Sequence, residues 1–190
     1  MSASAKLADP TRPTKTKAEM SQMPEMKTLK RFFCLGATLA CAVCSAQEAT
    51  FPMRSLTPET ALAAASAAMQ SCRKQGYQVA VAVVDRSGLT QVLLRDRFAG
   101  AHTTEVATNK AWTAASFKTS TKDLARETQS GMPMSGLRNL PRFLAAGGGL
   151  TLEAGGTSLG AIGVSGAPGG DADDSCAKAG IDAIRDSIEF

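Results

Sequence analysis

The stretch that decides the fold is Leu150-Thr-Leu-Glu-Ala-Gly-Gly-Thr-Ser-Leu-Gly-Ala-Ile-Gly-Val164, followed by Ser-Gly-Ala-Pro-Gly-Gly-Asp-Ala-Asp-Asp174 and Ser-Cys-Ala-Lys-Ala-Gly-Ile-Asp-Ala-Ile184. Two apolar runs meet at Gly155-Gly156, a strong short-range hairpin signal. The second run carries glycine at 160, 163 and 166. Glycine packs nothing within a strand, so its recurrence marks close approach by another backbone or a ligand. A loop with Pro168, Gly169 and Gly170 follows, then a helix that Asp171, Asp173 or Asp174 can cap. Cys176, Ala177, Gly180, Ile181, Ile184 and Ile188 recur at helical spacing along it.

Upstream, Thr57-Pro58-Glu59-Thr60 opens a helix, with Thr57 as cap and Pro58 at the first helical position. Its alanine-rich continuation carries Leu62, Ala65, Ala68, Met69 and Cys72 on one stripe and stops at Gly76. Val79-Ala-Val-Ala-Val-Val84 is a continuous apolar run and reads as a strand buried on both faces. A turn at Asp85-Arg-Ser-Gly88 returns the chain as a second strand over 91–97. A loop passes His102 into a helix running to about Phe117, with Thr103 or Thr104 able to cap. A short helix capped by Thr119, Ser120 or Thr121 follows, and residues 138–145 read ambiguously. Antiparallel hairpins with the first and last helices on one sheet face make an α+β sandwich.

One domain is expected, with a presequence in front of it. Residues 1–25 are a polar N-terminal extension of uncertain origin, and Met20, Met23 and Met26 are alternative starts. Residues 26–46 have the three parts of a signal peptide: the basic Met26-Lys-Thr-Leu-Lys-Arg31, an apolar core over 32–43, and Cys44-Ser45-Ala46 for cleavage. That core is too short to span a bilayer. Residues 47–55 are a linker and 56–190 the domain. Export to the periplasm or beyond the cell, without a stable membrane anchor, follows from this reading. From Gln47 onward the chain has 14 Lys plus Arg and 14 Asp plus Glu. The excess positive charge therefore lies entirely in residues 1–46, and no retained basic face points to nucleic acid. Cys72 and Cys176 are the cysteines that outlast cleavage. In an oxidising compartment they are either a bridge or two separate buried thiols.

Four stretches occur in order: Val79-Ala-Val-Ala-Val-Val-Asp85, Lys110-Ala-Trp-Thr-Ala-Ala-Ser-Phe117, Gly147-Gly-Gly-Leu150, and Ile162-Gly-Val-Ser-Gly-Ala167 with Cys176-Ala-Lys-Ala-Gly-Ile181. In this ordered set the chain resembles the HbpS/GlcG family of haem-binding proteins, which includes the C-terminal domain of PduO. The resemblance implies a profilin-like fold, a central antiparallel sheet with helices on its faces. It also implies haem as cofactor and assembly into a homo-oligomer, octamers included. For exported members it implies haem sequestration, haem degradation or haem and iron sensing, with a sensor protein as a possible partner. Two other functions are open: a small-molecule-binding accessory or enzyme of glycolate or cobalamin metabolism, and a structural interaction module of a sensory system.

His102 is the single histidine. Imidazole is the commonest protein ligand for haem iron, and Ala101-His102-Thr103 matches the family's haem-facing segment. A surface or capping histidine is the other reading. With a helix starting near His102, Val106, Lys110 and Thr113 share its face within about one position. Lys110, Arg95 and Arg97 are the candidate partners for propionates. Met132 and Met134 are either a second axial ligand or flexible gap-fillers, and Tyr77 is either a phenolate ligand for ferric haem or a packed aromatic. Asp171, Asp173 and Asp174 stand where a phosphate would sit in the glycine loop, so a nucleotide site is not expected there. Neither a serine triad nor a zinc pattern is present. A dedicated catalytic site is therefore not expected, and any haem degradation would be driven by the bound iron.

Overall fold

The computed structural model describes residues 49–189, so the expected presequence and its cleavage site lie outside the described residues. Helix α1 is Pro58–Lys74, strands β1 and β2 are Ala80–Asp85 and Thr90–Arg95, and helices α2 and α3 are Thr103–Phe117 and Thr121–Glu127. A 3-10 turn over Ser135–Asn139 occupies part of the ambiguous stretch. Strands β3, Gly149–Ala154, and β4, Thr157–Ser165, then lead into α4, Gly170–Ile188. The four strands form one antiparallel sheet in the order β2-β1-β4-β3. This is the expected α+β class with a central antiparallel sheet. Among the described residues, no helix is long and apolar enough to cross a membrane.

The turn residues behave as their chemistry dictates. Gly155 and Gly156 take φ of 54° and 73°, the pair of positive angles that a two-residue hairpin needs to match strand twist. Asp85 Oδ1 accepts from the backbone N–H of Ser87 and of Leu89 and so closes the β1–β2 turn. Thr57 caps α1 by accepting from the Thr60 N–H.

Strand alternation distributes the core between two layers. Val79, Val81, Val83, Ile162 and Val164 join Ala61, Ala65, Ala68 and Met69 of α1 and Ala177 and Ile184 of α4. On the opposite face Ala80, Ala82, Val84 and Ala161 meet Ala107, Ala111, Ala114 and Ala115 of α2. That second layer is thin because its side chains are small. At its tightest point α2 lies on Gly163, where a Cβ would stand 2.1 Å from the Ala107 carbonyl oxygen. Gly163 therefore records the approach of a helix backbone, whereas at Gly160 a Cβ would stand 2.1 Å from the Val84 carbonyl oxygen of β1.

Cys72 and Cys176 are bonded, tying α1 to α4 with Cα atoms 5.5 Å apart across a sequence separation of 104. Both are fully buried in the first layer, which resolves the two readings of the pair in favour of the bridge.

Candidate functional site

Three loops converge beyond one end of the sheet and enclose an open pocket of about 480 Å³, within the range of about 300–1,000 Å³ typical of small-molecule sites. Gly76, Tyr77 and Gln78, which lead from α1 into β1, form one wall. Phe98, Gly100 and His102, between β2 and α2, and Thr103, the first residue of α2, form the second. Ser165 at the end of β4, Gly166, Ala167 and Pro168 after it, and Asp173 in the first turn of α4 form the third.

The second wall is braced from outside the pocket. Asp96, 2% exposed, accepts from the Arg73 guanidinium at 2.6 Å (Nε) and 2.9 Å (Nη2). That hydrogen-bonded guanidinium holds the Asp96 carboxyl below the usual carboxylate range. Arg95 donates through Nε to the Ala99 carbonyl at 3.0 Å. On this tethered loop the Phe98 ring stands 79% exposed, an aromatic surface held in solvent at the pocket wall. The exposed His102 ring lies over Gly100, where a Cβ would come 2.7 Å from Cε1. His102 is the residue before α2 and makes no side-chain capping bond. Thr103, expected as a possible cap, instead donates its hydroxyl to the Gly100 carbonyl at 2.7 Å and is buried.

The expected ligand face of α2 turns inward. Lys110, expected at a propionate, is 4% exposed. Its ammonium donates to Asp173 Oδ2 at 2.7 Å and to the Val164 carbonyl at 3.0 Å. Thr113 is fully buried, and its hydroxyl accepts from the Leu144 N–H at 3.0 Å. Val106 is half-buried and does not line the pocket. The reason is packing: α2 must bury its alanine stripe on the sheet, and Lys110 and Thr113 flank that stripe. Arg95 and Arg97 do not line the pocket either. Of the candidate ligand residues read from the sequence, the pocket brings together His102, Thr103 and Tyr77, and Asp173 of the acidic cluster also lines it. Met132 and Met134 are exposed and lie outside it.

The acidic cluster also differs from the capping expectation, because α4 starts after Gly169 without a side-chain cap. Asp173 Oδ1 accepts from the Ala167 N–H at 3.0 Å, and Asp174 Oδ1 accepts from the Gly148 N–H at 2.5 Å. Burial pushes both carboxyls up, opposed at Asp173 by the Lys110 ammonium and at Asp174 by the Gly148 N–H. The third wall and the Gly147-Gly148-Gly149 segment are thus tied to α4 by carboxylates. Sequence reasoning missed Phe98, Gln78 and Ser165. An aromatic next to the Arg95–Arg97 charges was the one available signal. Among the described residues, no group of three His, Cys, Asp or Glu side chains is placed to hold a bare metal ion.

Known proteins share this architecture. The family described as "Haem degrading protein HbpS-like" matches residues 56–182. A double mutant of HbpS from Streptomyces reticuli is 36% identical with a TM-score of 0.67, over 78% of this chain and 97% of that one. A PduOC:heme complex is 30% identical with a TM-score of 0.65, over 68% and 95% of the two chains. The corrinoid adenosyltransferase PduO of Citrobacter freundii is 33% identical over 102 residues, 53% of this chain. The match spans 30% of that protein's length. With the family's pattern running from Leu56 to Asp182 and the same sheet and helices beneath it, the chain belongs to the HbpS-like family.

Proposed function

We propose that the protein binds haem in the pocket at the sheet end, with the His102 imidazole as the iron ligand and the Phe98 ring against the porphyrin. One observation carries this reading: the sole histidine and, among the described residues, the most exposed phenylalanine share a pocket of ligand size on a braced loop. The residues present suit the group. Imidazole is a haem-iron ligand, an aromatic ring stacks on a planar conjugated system, and the glycine- and alanine-bearing walls admit a flat edge. When bound, the iron would supply any redox chemistry. The chain's own residues bind and orient it. The family's description and the heme complex of PduOC support haem binding.

The pocket is open to solvent, so a seated porphyrin keeps one part uncovered. A second copy of the chain across the mouth would shield it, which favours a homo-oligomer. The buried Cys72–Cys176 bond supports an oxidising compartment and with it export, in keeping with a role in haem sequestration, degradation or sensing. The match to PduO favours a second reading, an accessory to cobalamin metabolism. A hemin titration of protein beginning at Gln47 tests the proposal. Saturation at one hemin per chain supports it. An absorbance spectrum equal to that of free hemin under excess protein rejects it.

A further inference from the structure

The pocket has no cation. None of the residues that line it is Lys or Arg. The Lys110 ammonium lies behind Asp173 and is consumed there. An acidic ligand group would be expected to seek Arg95 or Arg97, yet neither reaches this space. What the pocket holds instead is neutral hydrogen-bonding capacity without partners. Ser165 is 5% exposed and lines the pocket, and its hydroxyl has no hydrogen-bond partner among the described residues. Gln78 lines it too, and its Oε1 is buried without a partner. Amide O and N are interchangeable by rotation about the last side-chain bond, so either end of Gln78 can be presented. Buried polar groups are normally paired, and an orphan signals a missing partner.

Two helix starts reach the same place. Thr103, the first residue of α2, and Pro168, just before α4, are both on its walls. Neither helix has a side-chain cap. The Thr103 N–H already donates to the Gly100 carbonyl at 3.0 Å and Pro168 has no N–H, so what the helix starts offer an anion here is their dipoles. The nearby carboxylates are already engaged: Asp173 with Lys110 and the Ala167 N–H, Asp174 with the Gly148 N–H, and Asp171 with Lys122. Glu105, in the first turn of α2, is exposed and outside the pocket.

The geometry points to a carboxylate subsite in the pocket, built from the Ser165 hydroxyl and the Gln78 amide beside the starts of α2 and α4. It would receive a carboxylate of the bound ligand through neutral donors. Resting on the haem reading above, that group is a propionate. Ser165 and Gln78 then set specificity for acidic over esterified porphyrins.

The test compares hemin with hemin dimethyl ester on the wild type and on the Ser165→Ala/Gln78→Leu variant, with circular dichroism confirming the fold. The subsite predicts at least about a tenfold loss of hemin affinity in the variant, because hydrogen bonds to charged groups are among the strong ones, with diester affinity unchanged within about twofold. Equal losses for both porphyrins, or no loss for either, overturn it. A second arm needs no haem. Benzoate is titrated into isotope-labelled protein and followed through the Gln78 side-chain amide resonances. A saturating shift in the wild type that is absent from Ser165→Ala supports the subsite, and no shift overturns it. If neither porphyrin binds the wild type, the haem proposal fails and the benzoate arm alone decides the subsite.

Discussion

Lys110 shows how a single residue can be read from sequence for the wrong partner. Its place on α2 suggested an ammonium offered to a ligand, but its partner Asp173 lies 63 residues away and nothing local announces the pairing. A buried ion pair resists removal of one member, since the survivor is left charged and unpaired. Lys110→Met should therefore cost about 3–5 kcal/mol in urea denaturation. Lys110→Met with Asp173→Leu should recover most of that loss. Asp96 makes a different prediction. Its carboxyl is held down by Arg73, so the unfolded chain binds its proton more readily than the folded one. The stability it contributes is complete above its unfolded pKa, about 4, and is lost as pH falls through the lower folded value. Urea midpoints measured downward from pH 5 should fall more steeply for the wild type than for Asp96→Asn. Ser165 and Gln78 were illegible for the reason that makes them interesting: a missing partner leaves no pattern in a sequence.

Among the elements, the hairpins were the most legible. Gly155-Gly156 and Asp85-Arg-Ser-Gly88 announce themselves by turn chemistry that only a few backbone conformations satisfy. The β4 glycines were legible as close approach, though not in what approaches. The structure answers with α2 at Gly163. Gly163→Val should push a branched side chain into the Ala107 carbonyl and lift α2, costing about 3 kcal/mol or more by chemical denaturation. Because His102 precedes that helix directly, the same substitution should weaken hemin binding. The inward turn of Lys110 and Thr113 was the hard part. A helix built on alanine buries almost any neighbour of its stripe, so periodicity alone does not separate its faces.

At the scale of the whole molecule, the bond between Cys72 and Cys176 closes most of the domain into one loop, and sequence alone left the pairing open because helix contacts across 104 residues are not written locally. Its loss should cost roughly 2–4 kcal/mol, chiefly by freeing the unfolded chain. Thermal melts with and without a strong reductant check this. The walls of the pocket come from three separate loops, so no single segment describes the site. His102 was found from the sequence because it is the only histidine, and Phe98 was missed because one exposed aromatic in a loop has no signature. The account turns on that imidazole meeting iron. The most direct measurement is the Soret spectrum of equimolar hemin with wild type and with His102→Ala, whose exposed side chain should leave the fold unchanged by circular dichroism. The account predicts a red-shifted, sharpened band in the wild type and its loss in the variant; identical bands in both would contradict it.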